Sequence, residues 1–357
     1  MEDMNKDPFE EYIKQSEPSK RELGYAWYTA IGLQAVDGLK TSDYLKKTAR
    51  DNIDGVISID EARRLIESYY EEAPVKVSAS DRTKEADIVS SRIASLLSDK
   101  AFTLSVPQYI GIHRRLFEGI YSHAGKVRDY NISKKEWVLD GASVHYGNAL
   151  ELREMLEYDI RTEKEYDYPL DSISATIPHL AKFISGLWQI HAFGEGNTRT
   201  SAVFFIKYLR SMGFNVTNDI FAENAWYFRN SLVRANYNDF TKGIRETTVF
   251  LELFLRNLLL GETNELKNRY MHVRWATQKQ DIDDKKQDID GFGKVAKRHV
   301  QLLFDTFGYD SMFGRKEVME VLTITASPAS ELIKKMLVKG VIYPLKGQGK
   351  GKYLFKK

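Results

Sequence analysis

Residues 191–200 read His-Ala-Phe-Gly-Glu-Gly-Asn-Thr-Arg-Thr, a base, a metal-seeking carboxylate, a glycine-bracketed turn and a guanidinium in close succession. Gly194 and Gly196 let the backbone turn sharply and approach a ligand closely. An apolar run at 202–209 follows. The turn therefore stands at the entrance to a helix, whose first N–H groups have no partner and attract anions. Arg199 in the first turn adds a forked cation suited to phosphate oxygens. Glu195 beside a polyphosphate suits Mg²⁺, which needs only one or two carboxylates plus phosphate oxygens. His191, with an ordinary pKa of about 6.5, can take a proton from a hydroxyl. A histidine before a turn is by itself more often structural. The spacing of all these groups together points to phosphate chemistry.

Several elements must position that loop. Ile177, Leu180, Ala181, Ile184, Leu187 and Trp188 recur at helical spacing just before it. The run at 202–209 is apolar on nearly every face, as in a buried central helix. Upstream, short alternating runs at 137–139 and 144–146 are broken by Asp140-Gly141, a turn dipeptide, and predict a β-hairpin across 130–146. Helices are predicted around 25–38 and 58–70, the second opened by Ser58-Ile-Asp-Glu61 as a capping box. Residues 71–81, with a proline and no periodicity, read as a linker. A polar stretch at 278–291 follows the central region. Its Asp281, Asp283, Asp288 and Asp290 lack the ligand order of a calcium loop and read as solvated charge. A helix at 315–322 and a second, with Ser327 as N-cap, Pro328 in its first turn and Gly340 as its stop, come next. Strand-like segments at 341–345 and 353–355 complete the element order of a winged helix.

The loop is similar to the signature of Fic-domain proteins, His-x-Phe-x-(Asp/Glu)-Gly-Asn-Gly-Arg-x-x-Arg, through His191, Phe193, Glu195, Gly196, Asn197 and Arg199. Residues 124–128 with the following hairpin resemble the flap by which that family clamps an extended target segment. Residues 30–38 and 59–62 resemble the antitoxin-type helical module fused to some members. The resemblance covers roughly residues 20–260. It implies Mg²⁺-dependent transfer of AMP from ATP to a Ser, Thr or Tyr hydroxyl of a target protein or of this chain itself. By the same resemblance His191 is the general base, Phe193 plugs the core, and Glu195 holds the metal. The backbone of Gly194, Gly196, Asn197 and Thr198 cradles the phosphates with Arg199. Val127, Arg128, Ile132 and Ser133 belong to the target-facing flap. Asp37-Gly38 stands where an inhibitory helix carries glutamate and glycine. Thr198 replaces a glycine of the pattern, and Ala202 replaces its second arginine, which grips the γ-phosphate. With that arginine absent, the donor stays open to another nucleotide or CDP-choline.

These readings fit the composition. The chain of 357 residues divides into an N-terminal regulatory helical module at 1–75, a catalytic core at 82–270 and a winged helix at 292–357. The expected fold is mostly α, a Fic-type helical bundle with a β-hairpin flap. An apolar share of 43% suffices for a real core. A net charge of +2 implies no global attraction to nucleic acid or membrane. With no cysteine, disulfides and thiolate metal sites are excluded, which suits a reducing compartment. No run approaches the ~20 apolar residues of a membrane span, so a soluble cytoplasmic protein is expected, and a homodimer remains open. A competing reading is a DNA-binding regulator whose core is inactive or only senses nucleotide. In it Lys334, Lys335, Lys346, Lys350 and Lys352 meet phosphates, although helix 327–339 lacks an obvious base-reading side chain.

Overall fold

The computed structural model describes residues 18–72, 82–169, 172–216, 219–274, 294–308, 311–322, 324–345 and 351–356. Most of the expected linker at 71–81 and the whole polar stretch at 278–291, with its four aspartates, lie outside them, as do Lys346 and Lys350. The chain divides into two compact units, residues 1–273 and 274–357. Among the described residues, no helix is long and apolar enough to cross a membrane.

Among its described residues, the first unit is built mainly from helices. Helix α1 (Pro18–Gly32) begins on a proline, which the first turn tolerates because its N–H would be orphaned there anyway. A 3-10 turn, Leu33–Asp37, continues it and ends on Gly38 in the left-handed region. Helices α2 (Asp43–Ile53) and α3 (Ile59–Glu72) follow. Ser42 caps the first by accepting from the Leu45 N–H, and Ser58 opens the second by accepting from the Glu61 N–H. Then come α4 (Thr83–Ser98), α5 (Val106–Phe117), α6 (Leu152–Lys164), α7 (Ile173–Ile190) and α8 (Asn197–Ser211). Helices α9 (Asp219–Glu223), α10 (Ala225–Ala235), α11 (Val249–Leu260) and α12 (Asn268–Met271) close the unit.

Helix α8 is the axis of this unit. Residues 197–209 are all buried, as their apolar run requires, and α4, α5, α7 and the 3-10 turn pack around them. The N-terminal helices share the same core: Trp27, Leu33 and Val36 belong to one apolar cluster with Ile184, Phe204 and Phe254. The Trp27 indole donates to Asn52 Oδ1 at 2.9 Å, and the Asn52 amide donates in turn to the Ile57 carbonyl at 3.0 Å. The polar groups of these two buried side chains are thus satisfied within the packing.

The hairpin expected across 130–146 does not form. Its centre is a 3-10 turn, Trp137–Leu139, ended by Asp140 in the left-handed region, with extended but unladdered chain on both sides. Alternation fails because Val138 and Leu139 are both buried, and a strand cannot aim consecutive residues at one core. The base is tied by the Glu136 N–H to the Ala142 carbonyl and by the Lys134 N–H to Ser143 Oγ.

The second unit has its own small core, with Leu303, Phe313, Val318, Leu332, Met336 and Phe355 at its centre. Helix α13 (Lys294–Phe307) is followed by strand β1 (Phe313–Gly314), helices α14 (Arg315–Leu322) and α15 (Ala326–Val338), and strands β2 (Ile342–Pro344) and β3 (Lys352–Phe355). The strands form an antiparallel sheet in the order β1-β3-β2. Helix α15 starts two residues earlier than its sequence suggests, with Thr325 rather than Ser327 at the N-cap. Pro328 still falls in the first turn.

Gly32 shows how tightly α1 is seated. A Cβ there would lie 2.5 Å from the Ala222 Cα and carbonyl oxygen, a backbone contact that cannot yield by a rotamer change. Gly32→Ala should therefore lower stability by about 1–3 kcal/mol, as overpacking does, despite the better helix propensity of alanine. Chemical denaturation of the two proteins checks this. Unchanged stability would mean that α1 is not held in this contact.

Candidate functional site

Helix α7 ends at the first residue of the loop. His191 adopts φ 50° and ψ 56°, the left-handed region, at the C-cap of the helix. A non-glycine residue there costs about 1–2 kcal/mol and needs an outside hold. Arg128 supplies it. Its Nε donates to the His191 carbonyl at 2.8 Å, and its Nη2 to the carbonyls of Gly147 at 2.6 Å and Ile190 at 3.4 Å. The guanidinium thus satisfies the last carbonyls of α7 and complements the negative end of the helix dipole. The Arg128 N–H also donates to the Ala192 carbonyl at 2.9 Å.

The loop closes on itself. Asn197 Nδ2 donates to the Phe193 carbonyl at 2.7 Å, and the Phe193 N–H donates back to Asn197 Oδ1 at 2.9 Å. Phe193 is fully buried, stacked on His113 with 3.7 Å between ring centroids. Nε2 of His113 donates to the Glu195 carbonyl at 3.0 Å while Nδ1 accepts the Gly125 N–H at 2.9 Å, which fixes the tautomer. Gly196, at φ 78°, is the N-cap of α8, and a Cβ there would strike the Phe117 ring at 2.4 Å. No side chain caps this helix start. The first N–H groups of α8 are therefore left for an anion. Thr198 sits inside α8 with an ordinary negative φ, so its N–H direction is retained. Its hydroxyl accepts from the Trp188 indole at 3.0 Å, which gives the replacement of the pattern's glycine a physical purpose.

His191 is almost fully buried, and neither ring nitrogen makes a hydrogen bond of good geometry among the described residues, although the Trp188 backbone lies close enough to favour its proton. Burial first, then the charges of Lys134, Arg128 and Arg229, hold its pKa well below the usual imidazole value. It is a neutral base at neutral pH. The ring is oriented by packing instead, with Tyr146 at 4.2 Å and the edge of Trp188 at 5.3 Å. Tyr146 is fixed in turn through its hydroxyl, which donates to Glu136 Oε1 at 3.0 Å, and Arg229 forks onto the same buried carboxylate at 2.7 and 3.1 Å. Glu195 is half-buried and paired with Lys134, whose Nζ lies 3.1 and 3.4 Å from the two carboxylate oxygens. No cluster of three or more acidic or histidine side chains suited to a metal occurs among the described residues. One carboxylate beside an open anion cradle fits Mg²⁺ that arrives with phosphate oxygens and keeps its waters, and does not fit an all-protein metal site.

Arg199, expected on the phosphates, is engaged by protein groups. It is fully buried, with Nη1 donating to Gln34 Oε1 at 3.0 Å and Nη2 to Glu85 Oε1 at 2.8 Å and the Tyr121 hydroxyl at 3.2 Å. Nε lies 2.7 Å from Asp37 Oδ2, an ion pair by distance whose angle is too poor for a hydrogen bond, so the Coulomb attraction is the part to rely on. The ring of Phe117 covers the guanidinium at 4.8 Å. Asp37, more than a hundred residues away in sequence, is thereby brought onto the motif, and Gly38 closes its turn. Arg128, expected in the target-facing flap, is turned inward as described. Val127 and Ile132 are half-buried and Ser133 is exposed. Lys207 is tied to the carbonyls of Leu96 and Asp99, too deep to replace an arginine at the loop. A cleft of about 640 Å³ lies at the opposite end of α8, bounded by Arg21, Tyr25, Lys207 and Arg210, so it is not the site of this chemistry. In the second unit, Lys335 and Lys352, expected to meet DNA phosphates, are paired with Glu331 and Glu317. Sequence reasoning missed Glu85, Gln34, Tyr121, Tyr146, His113 and Lys134, because they reach the loop from separate elements without any periodic signal.

The His113 ring, fully buried, is pushed down to about 4, by burial first and by the charges of His123 and Arg199. An unfolded imidazole titrates near ~6.5, so on acidification the unfolded chain takes up the proton first. The stability from the neutral ring is complete above that value and is lost as pH falls towards 4. The thermal midpoint of the protein should decline between pH 7 and 5, and the decline should be shallower in His113→Phe. Equal slopes would show that the ring is not buried neutral.

Residues 103–209 match the model of the Fic/DOC family. A solved Fic family protein from Desulfovibrio desulfuricans G20 is 11% identical, with a TM-score of 0.43 over 94% of this chain and 87% of that one. No curated protein matches the chain. The matched segment contains the closed loop and its flanking helices, and residues 103–209 are a Fic/DOC family domain.

Proposed function

We propose that the protein is a Mg²⁺-dependent protein adenylyltransferase, moving AMP from ATP to a Ser, Thr or Tyr hydroxyl of a target protein, its own tyrosines included. One observation carries this reading: a buried imidazole, its pKa held well below the usual value, and an uncapped helix start stand at the two ends of one loop, with the Glu195 carboxylate between them. A nitrogen of His191 takes the proton of the acceptor hydroxyl. The hydroxyl oxygen forms a bond to the α-phosphorus as the bond from that phosphorus to the α,β-bridging oxygen breaks, and pyrophosphate leaves with the electron pair. The N–H groups of Gly196, Asn197 and Thr198 are the donors for the charge that develops. Glu195 would hold Mg²⁺, which supplies charge neutralisation along the phosphates. Because Ala202 offers no cation and Arg199 is engaged elsewhere, the test covers ATP, GTP, UTP, CTP and CDP-choline.

The ion pair between Asp37 and Arg199 gives the N-terminal segment a regulatory part in this reading. While Asp37 and Glu85 hold the guanidinium, it is withheld from phosphate. For residues 292–357 we read a winged helix that docks to protein, since two of the lysines a DNA reading needs already have carboxylate partners.

Incubation with Mg²⁺ and nucleoside triphosphates labelled at the α-phosphate, or CDP-choline labelled at both phosphates, should label protein, and His191→Ala should abolish the label without unfolding. Because the imidazole is already neutral, the rate at pH 6 should stay within about twofold of that at pH 7.5. An acid limb centred on the ordinary imidazole value would contradict a buried base, and no labelling with any of the five donors would remove the enzyme reading. Asp37→Asn should raise donor affinity several-fold by calorimetry. Unchanged affinity would make Arg199 a structural residue only.

A further inference from the structure

The charge balance around the loop leaves one basic side chain in a telling place. A nucleoside polyphosphate brings several negative charges, and the amide cradle of α8 contributes only partial positive charge. The two positions where a Fic-type pattern carries arginine are unavailable: Arg199 is buried and faces Asp37 and Glu85, and position 202 is a fully buried alanine. Arg128 and Arg229, the other cations that act on His191, are committed to helix carbonyls and to Glu136.

Lys134 is different. Its ammonium pairs with Glu195 at 3.1 Å, and among the charged groups its charge acts most strongly on the His191 imidazole. Its backbone is anchored, the N–H donating to Ser143 Oγ at 3.2 Å. Its side chain remains 29% exposed on four rotatable carbons, free to move while its root stays fixed. Lys134 Nζ spans both Glu195 oxygens, at 3.1 and 3.4 Å, so a metal that takes either oxygen competes with the ammonium for that carboxylate and loosens it. The nearest new anion is then the phosphate chain that arrives with the metal.

We propose that Lys134 is a donor-phosphate ligand, stored on Glu195 in the free protein and released onto the phosphates when the metal takes that carboxylate. It would thus supply, from the flap, the cation that position 202 lacks. This rests on the nucleotide-transfer reading above.

The consequence is a pair of opposite effects. With an ATP analogue carrying a methylene between the α- and β-phosphates, calorimetry with Mg²⁺ should show affinity reduced at least tenfold in Lys134→Ala. Lys134→Arg should recover most of it. With the analogue present, half-saturation by Mg²⁺ should need less metal in Lys134→Ala than in the wild type, because its carboxylate has lost a competing cation. If Lys134→Ala binds the metal–analogue pair as well as wild type and only melts earlier, Lys134 is a structural pair for the flap and the proposal is wrong. If wild-type protein binds the analogue but both Mg²⁺ and analogue affinities fall together in Lys134→Ala, the site has collapsed. In that case Lys134→Met, which keeps the stem packing, decides: it should restore Mg²⁺ binding but not analogue binding, and restoration of both overturns the proposal. Wild-type protein that binds no nucleotide at all overturns the transfer reading itself, and this proposal with it.

Discussion

A guanidinium with no solvent exposure dictates much of this architecture. Arg199 emerges from the first turn of a helix that is buried along residues 197–209, so it cannot reach water. An unpaired charge in such a place costs several kcal/mol. Asp37 and Glu85 must therefore approach it, with Gln34 and Tyr121 each accepting a further N–H. Burial opposes the Glu85 carboxylate, yet Arg82, Tyr121 and Arg199 together keep its pKa below the usual value. The requirement reaches from residue 34 to residue 199. It accounts for why the N-terminal helices share one apolar core with the motif.

A second constraint sets the reactive end. His191 occupies an unfavourable backbone region because Arg128 gathers the terminal carbonyls of α7 around one forked cation. The imidazole has no carboxylate of its own to orient it. Its direction comes from two aromatic neighbours, one of which is fixed by the Glu136–Arg229 pair. Orientation by packing leaves the ring nitrogens without a strong side-chain partner among the described residues.

The helical skeleton was legible in the sequence because amphipathic spacing is a local signal. The 3.6-residue recurrence before the loop, the capping Ser58 and the extent of α14 all follow from neighbouring residues. The loop itself was legible because its residues are contiguous. What escaped was chemistry assembled across distance. Nothing near Arg199 announces that Asp37 and Glu85 will neutralise it, and a phosphate role was the natural reading. The flap failed for another reason. Trp137-Val138-Leu139 has the composition of a strand, but the core claims Val138 and Leu139 together, and alternation gives way to a tight turn. Arg128 shows the same limit, since its place in the chain suggests a surface clamp and its partners are all inside.

The reciprocal bonds between Asn197 and Phe193 have a thermodynamic corollary. A flexible glycine-rich segment normally loses conformational entropy when it wraps an anion, and that loss weakens binding. Here the segment is already cross-braced by a side-chain amide and pinned beneath by a buried aromatic ring, so its dipoles need little reorganisation when charge appears before them. Any anion received there should meet a nearly rigid lattice of donors, and its affinity should depend more on fit than on loop length.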